Sequence, residues 1–342
     1  MAAALLSAAT SFGQQMADVA SHSKYITGVD EYVPAPGQFV NTLPKYEEGD
    51  DAAAMAAKCT EYLAAGKMYV VTLGAYGGYI TFHFDHSIAN IKGRNDLYIA
   101  GNAIAGNSEP GIVMVSKDIN HNGLPDDPWY ELAGSADADS IGKVVYGYSI
   151  TYTEAPLAPI PWSDNRGGSG TIARMPMHPQ EYFPQWLSGP LTFEGTLLPA
   201  NAANIGTAER PYWHLNSLRY GYVDNVANND SVGCSFNIEW AVDAERRPVE
   251  LDFVDFVRVY SAMTQQCGML GETSTEVAGA EDLHLDESLD AISKSTGIAV
   301  ACHDAVKPAV CYGLDGRITD GSKRGVNIIR MSDGTVRKVV VR

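Results

Sequence analysis

From residue 68 the apolar positions fall in short runs that alternate with polar ones, and Gly and Asn separate the runs. MYVVTL, GYITFHF, DLYIAG and GIVMVSKD open the series. KVVYGYSITYTEA, LTFEGTLL, SFNIEWAV and VDFVRVYSA continue it. A repeat of two puts successive side chains on opposite faces, so each run reads as a half-buried strand. Many short strands with Gly- and Pro-rich turns predict a sandwich or barrel. One segment differs. DAAAMAAKCTEYLAA, residues 51–65, is alanine-rich and free of Gly, which predicts a helix capped by Asp50 or Asp51. A stretch at about 155–190 has no clear period and reads as a long loop region.

Two ends of the chain carry different patterns. MAAALLSAATSFGQQ is a short apolar run of small residues, like the end of a secretory signal peptide that lacks its basic start. An alanine-rich helix is the alternative. SLDAISKSTGIA, near residue 288, reads as a linker, and the segment from about 305 as three or four strands with turns at LDGR, GSKRG and SDGT. The expected layout is therefore a signal remnant at 1–19, a β-sandwich at 20–287, a linker at 288–304 and a small β module at 305–342.

Charge narrows the partners. The chain of 342 residues has a formal net charge of −17. Nucleic acid needs a basic face to meet its phosphates, so it is excluded as a partner. No stretch approaches the roughly 20 apolar residues of a membrane-spanning helix. Five cysteines occur without a CxxC pair, so a zinc or redox motif of that kind is unsupported. Cys302 and Cys311 are the closest pair in sequence.

The most specific motif is DINHNGLPDD, residues 118–127. Asp118, Asn120, Asn122 and Asp126 place side-chain oxygens at alternating positions around Gly123, and Leu124 offers a backbone carbonyl. Ca²⁺ takes six to eight oxygens around such a bend. Position 12 of the loop is Trp129 rather than the acid of an EF-hand, which leaves Glu131 or Glu109 to complete the set. The alternative is an Asx-rich turn without metal.

Other candidates weigh less. His83 and Asp85 share a strand face while His86 points away, so the three converge only at a bulge; Asp85 and His86 more simply end the strand. Glu272 and Glu276 in GETSTE suggest a hydrolase pair, but an extended chain separates them by about 13 Å, beyond the roughly 5–10 Å that chemistry needs. LGAYGGY lacks the GK[ST] ending of a phosphate loop, and no GxSxG elbow occurs. Trp162, Asp164, Asn165, Trp186 and Trp213 are the candidate ligand platform, with Tyr182 and Tyr220 beside them, because aromatic faces stack on sugar rings and amides and carboxylates bind hydroxyls. For Trp162 and Trp186, platform and core stand as alternatives; Trp129 and Trp240, in strand-like runs, read as core.

Several strings together resemble a known group. VTLGAYGGYITFHFDHSIAN, NDLYIAGNAIAG, SEPGIVMVSKDINHNGLPDDPWYELAGS and CGMLGETSTEVAGAEDLHL, with SDNRGGSG, YFPQW and FNIEWAVDAE between them, resemble PKD-like cell-surface proteins of Bacteroidota over roughly residues 24–287. The resemblance implies an exported, jelly-roll-like β-sandwich; with the helix read at residues 51–65, the expected fold class is all-β with a short N-terminal helix. It implies capture of a glycan or corrinoid-type nutrient at the outer cell surface and brings no catalytic residues. AVCYGLDGRI and RGVNIIRMSDGTVRKVVVR resemble a type IX secretion C-terminal sorting module, which implies contact with the export machinery. The sequence thus predicts a calcium-stabilised, non-catalytic surface binding protein. A secreted glycan-active hydrolase and a structural adhesin are the alternatives.

Overall fold

The computed structural model describes residues 22–139 and 142–296, and in the C-terminal stretch residues 308–313, 318–319, 325–331 and 336–341. The segment read as a signal remnant, the Cys302–Cys311 pairing and the three C-terminal turns lie outside the described residues. The chain divides into two compact units, Met1–Ile292 and Ser293–Arg342. No described helix is long and apolar enough to cross a membrane.

The large unit is all-β and sandwich-like. Its main sheet is antiparallel and has six strands, in the order Gly28–Val33, Tyr79–Ala89, Phe253–Ser261, Gly111–Ser116, Trp129–Leu132, Ala241–Val242. The period of two sets its inner face. Ile80, Phe82, Val113, Val115, Val257 and Val259 are buried in one apolar cluster. The same cluster takes Met55, Cys59 and Leu63 from helix α1 (Ala52–Leu63), and Leu97, Ile99 and Phe236 from a small three-stranded sheet. Asp51 caps α1 by accepting a hydrogen bond from Ala54 N at 2.8 Å. Burial of this size drives the fold, since each enclosed aliphatic side chain is worth about 1.5–3 kcal/mol.

The outer face is only partly covered. A four-stranded sheet, ordered Leu191–Leu197, Val145–Tyr152, Ile160–Asp164, Ser169–Ile172, closes over Tyr79, Ile112 and Tyr260. Gly195 permits that approach, because a Cβ there would stand 3.0 Å from the Tyr260 hydroxyl. That hydroxyl accepts a bond from Thr196 N at 2.9 Å. The neighbouring rows, which hold His83, Phe256, Ser116 and Trp129, and Thr81, Arg258, Met114 and Glu131, lie beside this cover.

Two sequence expectations change here. The loop at 155–190 contains a hairpin, Ile160–Asp164 with Ser169–Ile172. Its turn closes because Asp164 accepts from Arg166 N and Gly168 N, at 2.9 and 2.6 Å. The linker at 288–304 begins as helix α2, Leu285–Thr296. No Gly or Pro interrupts that span, and Asp286 and Glu287 sit in its first turn, where the helix dipole favours acids.

The small unit is an antiparallel sheet ordered Ile318–Thr319, Pro308–Gly313, Gly325–Met331, Val336–Val341. The expected strands are present.

Candidate functional site: an aromatic groove on the outer sheet face

Where the covering sheet stops, a groove of about 230 Å³ opens between the two sheets. Trp129, Glu131, Tyr146, Glu194, Asp243 and Arg246 line it. Trp129 and Glu131 come from one strand, two residues apart, and so share a face. The Trp129 ring is held edge and face. Its Nε1 donates to Pro125 O at 3.3 Å, and the Arg258 guanidinium lies 4.3 Å from the ring centre. Arg258 also lies over Tyr79 at 4.4 Å and donates to Glu31 Oε2 at 2.6 Å. A cation against an aromatic face adds about 0.5–2 kcal/mol and fixes the ring plane.

Arg246 holds the other side. Its Nη1 donates to Glu131 Oε2 at 2.6 Å, its Nη2 bonds Asp137, and its guanidinium lies 4.8 Å from the Tyr146 ring. Glu131 has no free oxygen. Oε1 accepts from the Tyr260 hydroxyl at 2.5 Å, and Oε2 also accepts from Thr196 Oγ1 at 2.9 Å. Tyr146 bonds Asp137, and burial together with that carboxylate pushes its phenol up to about 12, so it stays neutral. The result is two fixed aromatic rings bordered by charged hydrogen-bonding groups in an open cleft.

The residues expected to form a ligand platform go to separate places. Trp162 is in the hairpin, partly buried against the cluster of Tyr148, Tyr152 and Phe193. Asp164 closes the hairpin turn and accepts from the Tyr148 hydroxyl at 3.0 Å. Asn165 donates to Gly147 O at 2.8 Å. Trp186 stacks between Tyr32 and Tyr46, with ring centres 5.5 and 6.1 Å away. Trp213 belongs to a two-stranded ribbon and packs beside Gly268. The Nε1 atoms of Trp186 and Trp213 are buried without a hydrogen-bond partner among the described residues. None of these five residues lines the groove. Trp240 packs partly buried against the main core, as expected, whereas Trp129 borders the groove. The available signal was the Glu two positions after Trp129, because a core face rarely carries an acid.

The 118–127 loop does gather its predicted residues. Asn120 Nδ2 donates to Asp126 Oδ1 at 3.1 Å, and Asn122 Nδ2 donates to both Asp126 oxygens at 3.2 and 3.0 Å. The Asp118 carboxylate accepts from Asn122 N and Gly123 N. Gly123 and His121 take positive φ, 72° and 57°, which tighten the bend. Asn120 Oδ1 and Asn122 Oδ1 accept from Asn122 N and Leu124 N, at 2.9 and 2.8 Å. Asp118, Asn120, Asn122, the Leu124 carbonyl and Asp126 carry the hard oxygens that Ca²⁺ takes, with the two Asn Oδ1 atoms also accepting from backbone N–H groups of the bend. Glu131 and Glu109 do not join them. Glu131 is locked in the groove, and Glu109 is part of an interior cluster.

That cluster is the fate of the GETSTE acids. One carboxylate oxygen from each of Glu109, Asp224 and Glu276 lies within 4.8 Å of the other two. Glu276 Oε1 accepts from Thr72 Oγ1 and Ser274 Oγ, at 3.0 and 2.9 Å. Asp224 accepts from Asn102 N, Ala103 N and Glu276 N. Glu272 accepts from Gln38 N at 2.6 Å, while its Oε2 is buried with no partner among the described residues. These bonds come from backbone N–H groups and hydroxyls rather than from cations. Burial therefore pushes the acids up: Glu109 to about 8, Asp224 to about 7, Glu272 to about 7, and Glu276 well above the carboxylate range. Carboxylates crowded this closely share protons at neutral pH. They are enclosed, so Glu272 and Glu276 do not face each other across a sugar site.

No family model matches the chain, and no curated protein matches it.

Proposed function

We propose that the protein is an exported, non-catalytic surface protein that captures a glycan, with a Ca²⁺ ion holding the 118–127 loop. The groove beside Trp129 carries this reading. Two aromatic rings held in fixed planes suit the apolar faces of sugar rings, and the bordering acids and Arg246 suit their hydroxyls. Its 230 Å³ suits a sugar unit better than a corrin ring. The wider depression of about 630 Å³, at Asn90, Lys92, Glu239 and residues 248–252, offers no aromatic ring. The Ca²⁺ would be held by Asp118, Asn120, Asn122, Leu124 O and Asp126, and would supply only fixed charge and geometry. The small C-terminal sheet is assigned to export, on its resemblance to sorting modules.

The hydrolase alternative draws support from one observation: Glu131, Glu194 and Asp243 line the same groove. Against it, both Glu131 oxygens are committed to fixed donors. Screening the full chain against a glycan array, with Trp129→Ala and Tyr146→Ala in parallel, tests the proposal. Wild-type binding to a defined glycan set, lost in both variants and without cleavage products, is expected. Turnover abolished by Glu194→Gln, or binding unchanged in both aromatic variants, would overturn it.

A further inference from the structure

The strand Tyr79–Ala89 is irregular. Val254 pairs with Ile88 but Phe256 pairs with His83, so residues 84–87 carry extra chain within the ladder. A regular strand would send Asp85 and His86 to opposite faces. Here the irregularity brings them together, with His86 Nδ1 2.9 Å from Asp85 Oδ1. The segment before the first strand adds a third group. Tyr25 bridges Glu281, and Ser23 N donates to both Asp85 oxygens, at 3.3 and 3.1 Å. His22 Nδ1 thereby lies 3.3 Å from Asp85 Oδ1. One ligand atom each from His22, Asp85 and His86 fits within 4.8 Å. His83 stays out, because its ring is taken by Asp30 at 2.9 Å.

We propose that His22, Asp85 and His86 form a binding site for a divalent metal of the Zn²⁺ class, with Asp282 positioning His86. The spacing suits the ion. Zn²⁺ bonds of 2.0–2.1 Å in a tetrahedron place neighbouring ligand atoms about 3.3 Å apart, close to the separations seen around Asp85. Two imidazoles and one carboxylate favour a borderline metal over Ca²⁺, which prefers oxygen.

The back of the site is built as metal-binding histidines require. His86 Nε2 is 2.9 Å from Asp282 Oδ2, and their side chains are 1% and 0% exposed. Asp282 is itself fixed, because its Oδ1 accepts from His284 N at 2.7 Å. A carboxylate on one ring nitrogen sets the tautomer and turns the other nitrogen toward the ion. Charge agrees as well. Two carboxylates, Asp85 and Asp282, flank the His86 ring, one on each nitrogen, and suit a divalent cation. The His22 and Asp85 side chains are 35% and 37% exposed, so an ion can enter and solvent can take a fourth position. The site uses none of the groove or loop residues.

The test is calorimetric titration of the chelator-treated full chain with ZnCl₂, with Co²⁺ absorption as a second readout. One equivalent is expected, with a Co²⁺ spectrum of low coordination number, and a Ca²⁺ excess does not displace it. His22→Ala, at an exposed position that leaves the fold intact, weakens Zn²⁺ at least about tenfold; Asp282→Asn weakens it about 10- to 100-fold, the range for groups behind a ligand. His121→Ala, an exposed histidine outside the cluster, changes nothing. Zn²⁺ affinity in His22→Ala equal to wild type, or no Zn²⁺ binding by the wild type, would overturn the proposal and leave His86 as a proton bridge between Asp85 and Asp282.

Discussion

The groove and the interior beside helix α1 use the same residue types to opposite ends. In the groove, the half-buried Trp129 lines an open cleft, and Glu131 meets Arg246 and two hydroxyls. On the interior side, Trp186, also half-buried, stacks on two tyrosines and packs against the main core, and Glu276 is enclosed with Glu109 and Asp224. Tyr32 links the interior parts. It stacks on Trp186, donates to Thr72 O at 2.8 Å, and its phenol is pushed well up by burial, with Glu276 adding to the effect. The partners each side chain meets, rather than residue type, decide whether a tryptophan borders a cleft or packs on the core and whether an acid is paired with a cation.

The largest effect expected from this contrast is on pH dependence. Glu109, Asp224 and Glu272 have folded values of about 8, 7 and 7, against ordinary values of 4.5, 3.8 and 4.5. For acids raised in the fold, the folded state binds more protons than the unfolded chain between the two values. Their stabilising contribution is full below about pH 4 and is lost as pH rises through about 7 to 8. The melting temperature should fall from pH 5 to pH 9. Glu276→Gln, which removes a charge at constant shape, should flatten that slope and leave the variant more stable than wild type at pH 9. A wild-type melting temperature that rises over this range would break the contrast.

Trp186→Ala should cost about 3 kcal/mol of unfolding free energy, the scale for emptying an aromatic site, while glycan affinity of the folded protein stays unchanged. Chemical denaturation and binding measured on the same sample check both halves. If affinity falls instead, Trp186 belongs to the site after all.

A smaller effect separates the acidic loop from the acidic interior. Ca²⁺ at 100 times its dissociation constant should stabilise the chain by about 2.7 kcal/mol by mass action, and Asp118→Ala should abolish the gain. Equal melting temperatures in Ca²⁺ and in chelator would show that the loop is a self-bonded Asx turn.

What the sequence made legible follows from this contrast. The strands and α1 were readable because their period is local and their burial follows it. The 118–127 loop was readable because all its polar groups lie in ten consecutive residues, and the structure brings them together. The interior acids were not, since Glu109, Asp224 and Glu276 come from separate segments and only the fold joins them. His22 with Asp85 and His86 was hidden for the same reason, and also because strand parity forbids the pair until the ladder bulges. Trp129 lies in a strand, and a strand position reads as core although the sheet also has an outer face, which is where Trp129 borders the groove. Trp162 and Asp164 read as loop because the turn signal DNRGG is flanked by runs too short to show a period of two.

The proposed capture of a glycan rests on the Trp129 groove as the ligand site. Calorimetric titration with the strongest glycan from the array, on wild type, Trp129→Ala and Trp186→Ala, tests it most directly. A loss of about 1–3 kcal/mol is expected in Trp129→Ala, the range for an aromatic anchor, and none in Trp186→Ala. Equal affinity in wild type and Trp129→Ala, with both proteins folded, would contradict it.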